Sequence, residues 1–217
     1  SPGDTRSQEA IEGHKDGLRW MPAECDVSIR PGWFYHGNED TLVKSPAQLF
    51  DLYLSSVGRN ACLLLNVPPD RRGLLHEEDV RSLQGLKEML DGTFRTNLAA
   101  GQAPNLTDHR HDTYWSPEDS VGAFTLEFAS PIAWDLLLLQ EEVRLGQRVE
   151  RFSVESWDGH LWREVWNGTT IGAKRLVRLP ELSSRKVRVS ILASRGRPLI
   201  SEVGLYLAPP TASRRTH

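Results

Sequence analysis

The sequence predicts an α/β portion followed by an all-β portion, and three observations carry that expectation. Through about residue 95, apolar strand-like runs alternate with segments of helical periodicity. From Phe124 onward the apolar period is two, with Gly-containing turn dipeptides as punctuation. Between them, Thr96 to Asp108 forms a seam where one pattern gives way to the other. We therefore expect two domains, 1–95 and 96–217.

The elements follow in order. After a polar lead-in from Ser1 to Gly17, Cys25 to Ile29 reads as a short strand stopped by Pro31 and Gly32. Ser45-Pro46 supplies an N-cap with proline in the first helical turn, and Leu49, Leu52, Tyr53 and Ser56 share one face up to a C-cap at Gly58. Ala61 to Val67 is apolar except for Asn66, which suits a parallel strand buried on both faces. A second helix runs from Glu77 to Leu90, with Glu77, Glu78 and Asp79 complementing the dipole at its start and Asp91-Gly92 at its end. Two βα units alone leave both sheet edges unpaired, so they fit as the last two units of a (β/α)8 barrel.

In the second half, Phe124 to Phe128, Trp134 to Leu139, Phe152 to Trp157, Leu161 to Trp166, Thr169 to Lys174, Leu176 to Leu179, Val187 to Ile191 and Leu199 to Leu205 read as strands. Asp158-Gly159 and Asn167-Gly168 are hairpin turn dipeptides between them. Seven or eight antiparallel strands point to a β-sandwich of jelly-roll type.

A formal net charge of −3 argues against capture of nucleic acid by bulk electrostatics. The longest strictly aliphatic run, Leu136 to Leu139, is far below the ~20 residues of a membrane helix. Cys25 and Cys62 are too few for a disulfide framework, and both read as buried thiols. Ser1 begins neither a signal core nor an initiator methionine, so the chain is expected to be processed or a fragment, and its compartment is not readable.

Candidate chemistry concentrates between Trp20 and His36. Glu24 and Asp26 share one strand face, either as a carboxylate pair of the kind glycosidases use or as partners for Arg30. Trp33-Phe34-Tyr35, just beyond the strand, reads either as a sugar-stacking platform or as packing. Asn66 interrupts an apolar strand, so its amide must meet a structural partner or a ligand. His109 and His111 flank Arg110 in what reads as a solvated loop, since no further ligand completes a metal site. No phosphate loop, nucleophile elbow or zinc signature occurs, and no metal or cofactor is expected.

Together, Pro22 to Trp33, Val43-Lys44-Ser45, Ser56 to Asn60 and Leu63 to Asp70 resemble the C-terminal barrel region of α-L-fucosidases of glycoside hydrolase family 29. The form of Pro22 to Trp33 is similar to the branch that prefers α-1,3/1,4-linked fucose. Residues 20 to 90 carry the close match, whereas Asn105 to Tyr206 looks, more weakly, like the galactose-binding or discoidin-like accessory domain of that family.

The resemblance implies a retaining hydrolase with an aspartate nucleophile and a glutamate acid/base, acting on a fucosylated oligosaccharide or glycoconjugate. The family carries the nucleophile in a Trp-Phe-Asp-Gly-Ala-like motif and the acid/base in a Gly-Asn-Glu-like motif, neither of which occurs here, so both are expected upstream of Ser1. Trp33 matches the aromatic that walls the methyl group of fucose, and Glu24 matches a polar pocket position. Arg30 would orient Glu24 or Asp26 or contact the glycan, and Asn66 is a weaker substrate contact. Two other readings stay open: a carbohydrate-binding sandwich using Trp115, Trp157 or Trp162, and an inactive, aggregation-prone truncated product.

Overall fold

A computed structural model of the chain describes residues 18–19, 21, 23–110 and 112–209. The lead-in from Ser1 to Gly17, Trp20 and His111 lie outside them.

The first half contains β1 (Ala23–Ser28), helix α1 (Pro46–Ser55), β2 (Ala61–Asn66) and helix α2 (Glu77–Phe94). β1 and β2 pair in parallel, with Glu24 opposite Cys62, Asp26 opposite Leu64 and Ser28 opposite Asn66. Ser45 caps α1 as its chemistry predicts: its hydroxyl accepts the Gln48 N–H, and the Gln48 side chain accepts the Ser45 N–H in return. The α1 C-cap is Ser56, two residues before Gly58, whose N–H reaches back to the Tyr53 carbonyl at 3.0 Å. α2 continues a full turn past Leu90, because Asp91-Gly92 stays helical and Thr93 returns its hydroxyl to the Met89 carbonyl.

The strand at Ala61 to Val67 is parallel but not buried on both faces. In β2, Cys62 and Leu64 are exposed, and Leu64 retains 51 % of its accessible surface. Only two strands are paired, and among the described residues nothing covers the face that also carries Glu24 and Asp26. The expectation of two buried thiols fails for the same reason: Cys62 is exposed and Cys25 half-buried.

The second half contains β3 (Gly122–Glu141), β4 (Val149–Trp157), β5 (Trp162–Gly168), β6 (Arg175–Ser194) and β7 (Ile200–Tyr206). They form one antiparallel sheet in the order β5-β4-β6-β3-β7. Two pairs of expected strands merge into β3 and β6, each 20 residues long. Their prolines sit where pairing is interrupted: Pro131 falls between the paired positions Glu127 and Ile132, and Pro180 lies opposite the shift between Trp134 and Leu136. The Asp158-Gly159 hairpin forms between β4 and β5. Asn167-Gly168 does not turn; it stays in β5 opposite Ser153 and Phe152, and Thr169 to Lys174 is not a strand.

The main core, including Phe124, Leu126, Trp134, Phe152, Val154, Val187 and Val189, lies on one face of this sheet. Leu136 and Leu138 point the other way and pack with Leu176, Tyr206, Tyr53, Leu54 and Phe94, whereas Leu137 and Leu139 join the main core. The four-leucine run therefore marks a strand segment covered on both sides, by the core and by the helices. Gly58 makes the contact close: its carbonyl accepts the Leu176 N–H at 2.7 Å, and a Cβ there would lie 2.7 Å from the Leu176 Cβ.

Candidate functional site

In a parallel βα arrangement the loops after the strands' C-terminal ends build the site. Here these are residues 29–44 after β1 and 67–76 after β2. The first loop is braced from inside. Lys44 closes it, its N–H donating to the Ile29 carbonyl at 2.9 Å and its Nζ to the Ser28 carbonyl at 2.6 Å. The Ser82 hydroxyl of α2 donates to the Lys44 carbonyl and ties the closure to the helix.

Arg30 is the central brace. Its side chain is fully buried, and its Nε lies 3.1 Å from both oxygens of Asp79, itself fully buried on α2. Nη1 donates to Asp40 at 2.9 Å, and the Tyr35 ring stacks on the guanidinium at 4.7 Å. Desolvation opposes the charge, but the bonds to Asp79 and Asp40 outweigh it and raise the Arg30 pKa. Thus Arg30 forks onto Asp79 rather than onto Glu24 or Asp26, and it has no exposed surface with which to touch a glycan.

His76 caps α2, its Nδ1 accepting the Glu78 N–H at 3.3 Å. Its Nε2 then faces Asp40 Oδ2 at 3.4 Å, and its ring lies 5.8 Å from that of Tyr35. Tyr35, His36, Asn38, Asp70, Arg72 and His76 line a cleft of about 570 Å³ between the two loops. Arg72 bonds Asp70 and Glu77, and the Asp70 carboxyl is held below its ordinary 3.8, first by Arg72. The sequence marks the loop after β1 as the place of the chemistry but gives Asp79 only as part of the acidic first turn of α2, which reads as dipole compensation until the fold brings Arg30 against it; His76 carries no signal in the sequence.

Trp33 and Phe34 stand at the loop's outer end, 52 % and 78 % exposed. Asn66 donates from Nδ2 to the Trp33 carbonyl at 3.0 Å and to the Ser28 hydroxyl at 3.1 Å. These structural bonds hold the backbone under the exposed indole. Glu24 lies on the same face as Ser28, but four residues earlier, which at ~3.3 Å per residue is about 13 Å along the strand. The structure therefore joins Trp33, Asn66 and Arg30 in one loop assembly and sets Glu24 below it. Exposed His109 lies 3.4 Å from Glu202, and no metal cluster occurs among the described residues.

A family model described as Alpha-L-fucosidase matches residues 5–92, the part that contains this loop assembly. Alpha-L-fucosidase 1 of Arabidopsis thaliana is 38 % identical over 234 aligned positions, spanning 98 % of this chain and 46 % of the plant protein. The chain is similar to α-L-fucosidases over nearly its whole length. Among solved structures, SpGH29 superposes with a TM-score of 0.84 at 35 % identity, covering 91 % of this chain and 46 % of its own. The GH29 fucosidase of Ruminococcus gnavus in complex with fucose gives 0.84 at 32 % identity, covering 91 % and 43 %. These homologues are glycoside hydrolases, and this chain corresponds to less than half of their length.

Proposed function

We propose that the chain is the C-terminal portion of a retaining α-L-fucosidase that removes α-1,3/1,4-linked fucose from branched glycans. The carrying observation is the β1–β2 pair. Among the described residues its two outer edges are unpaired and the face bearing Glu24, Asp26, Cys62 and Leu64 is open, which supports a reading of two barrel strands that pair with further strands. In this reading, residues 23–95 complete a (β/α)8 barrel, and residues 96–217 form a jelly-roll accessory domain. The bulged, 20-residue strands β3 and β6 support the second assignment, since strands that long serve two layers by bending at irregular points.

The aspartate nucleophile and glutamate acid/base come from the preceding barrel strands. Trp33 supplies the apolar wall for the C6 methyl of fucose, where a hydroxymethyl sugar would leave its hydroxyl without a partner. Asn66 and Arg30 position that wall, and Glu24 lines the barrel interior below it. The α-1,3/1,4 preference rests on the likeness of Pro22 to Trp33 to that branch of the family.

The test is hydrolysis of an aryl α-L-fucoside and a Lewis-type trisaccharide by the 217-residue chain, alone and joined to the preceding part of its reading frame. No turnover alone and turnover when joined is expected, with a raised KM in Trp33→Ala. Turnover by the chain alone would contradict the proposed source of the catalytic pair, and inactivity of the joined protein would contradict the fucosidase reading.

A further inference from the structure

The outer face of the five-stranded sheet carries a second cluster, separate from the loop assembly after β1. Along β4, Phe152, Val154 and Ser156 face the core, so Glu155 and Trp157, both half-buried, lie on the other face. Trp157 pairs across the hairpin with Trp162, the rings edge to face with centroids 5.5 Å apart. Neither indole belongs to the main core, in contrast to Trp115, which packs against it edge-on to Phe124. Arg188 of β6 lies opposite Glu155, donates to it from Nε at 2.6 Å and Nη2 at 2.7 Å, and stacks over the Trp162 ring at 4.3 Å. Nη1 of Arg188 makes no hydrogen bond among the described residues, and Thr125 and Ser190 continue the face on either side.

We infer that this face binds a neutral oligosaccharide, with Trp157 and Trp162 as the stacking surface and the Glu155–Arg188 fork as the hydroxyl clamp. Sugars present both an apolar face of C–H groups and a rim of hydroxyls. Rigid indoles meet the former, and a fixed donor–acceptor pair meets the latter. Charge selects this occupant over others. Glu155 is matched by Arg188 and Glu127 by Lys186 at 2.7 Å, while Glu164, opposite Glu155, adds a carboxylate held by the Asn167 amide, so the face offers no excess positive charge to an acidic peptide, nucleic acid or anionic lipid. Held flat by its stack with Arg188, Trp162 is also half-buried rather than projecting as a membrane anchor does. This site does not depend on the proposed catalysis, because it lies on the β3–β7 sheet.

The experiment titrates the 217-residue chain with cellohexaose, chitohexaose and a Lewis-type trisaccharide, following the indole N–H signals by NMR. Saturable shifts of Trp157 and Trp162 are expected with at least one sugar, with affinity weakened about tenfold or more in Trp162→Ala. Should that change loosen the hairpin, Arg188→Gln retains both indoles and removes the clamp, and a severalfold loss is expected there too. No saturable binding of any of the three at roughly 10 mM would overturn the inference. So would binding that shifts Trp33 alone, which would leave the fucosidase reading standing, or association with anionic vesicles in place of sugar.

Discussion

Arg30 shows why single residues in this chain are legible in kind but not in partner. The sequence marks it as a cation beside two strand carboxylates, yet the strand directs Glu24 and Asp26 to the open face while the backbone turn after Ser28 carries Arg30 beneath the loop. Its counter-charge, Asp79, is 49 positions away, a separation that no local pattern encodes. Removing one member of a fully buried pair strands the other charge, at a cost of about 3–5 kcal/mol. Asp79→Ala should lower stability by that order in urea unfolding, with the indole of Trp33 losing its fixed environment. A loss below about 1 kcal/mol would show that solvent reaches Arg30. Asn66, left open between structural and ligand roles, is structural in its bonds to Ser28 and Trp33.

Local chemistry predicts the elements well where a cap or turn dictates them. The Ser45-Pro46 cap and the Asp158-Gly159 hairpin form as expected, because each is decided within a few residues. The failures are decided by distant partners. Phe128 and Leu179 read as strand ends, but Pro131 and Pro180 just beyond them are tolerated at irregularities in the pairing, so β3 and β6 run on; Asn167-Gly168 is held extended by β4.

Two predictions belong at this scale. Gly58→Ala places a Cβ 2.4 Å from the Leu54 carbonyl oxygen and against Leu176, so α1 must shift from β6; a loss of about 1–3 kcal/mol is expected in thermal or urea melts. Asp158 accepts the backbone N–H groups of Leu161 and His160 and pairs with Arg163, in that order of importance, which holds its carboxyl well below 3.8. A depressed folded pKa contributes stability above the unfolded value and loses it as pH falls toward the folded one. Wild type should therefore lose stability on acidification below about pH 4 more steeply than Asp158→Asn, as read by melting temperature against pH. Equal slopes would mean that the hairpin carboxylate is not held in the folded state.

At the scale of the whole molecule, two regions meet different demands. The β3–β7 sheet encloses its own core, while β1 and β2 keep both edges and one face open among the described residues. A parallel pair is stable when covered, and the open face supports the proposed reading in which further strands complete this sheet. The composition could not reveal this, since an apolar run such as Ala61 to Val67 reads the same whether its neighbours come from this chain or from further strands.

Amide hydrogen exchange, read strand by strand on the 217-residue chain and on the chain joined to the preceding part of its reading frame, tests this most directly. We predict that amides of β1 and β2 exchange far faster than those of β3 and β6 in the chain alone, and become protected to a similar degree once joined. Equal protection of both sheets in the chain alone, unchanged by joining, would contradict the account.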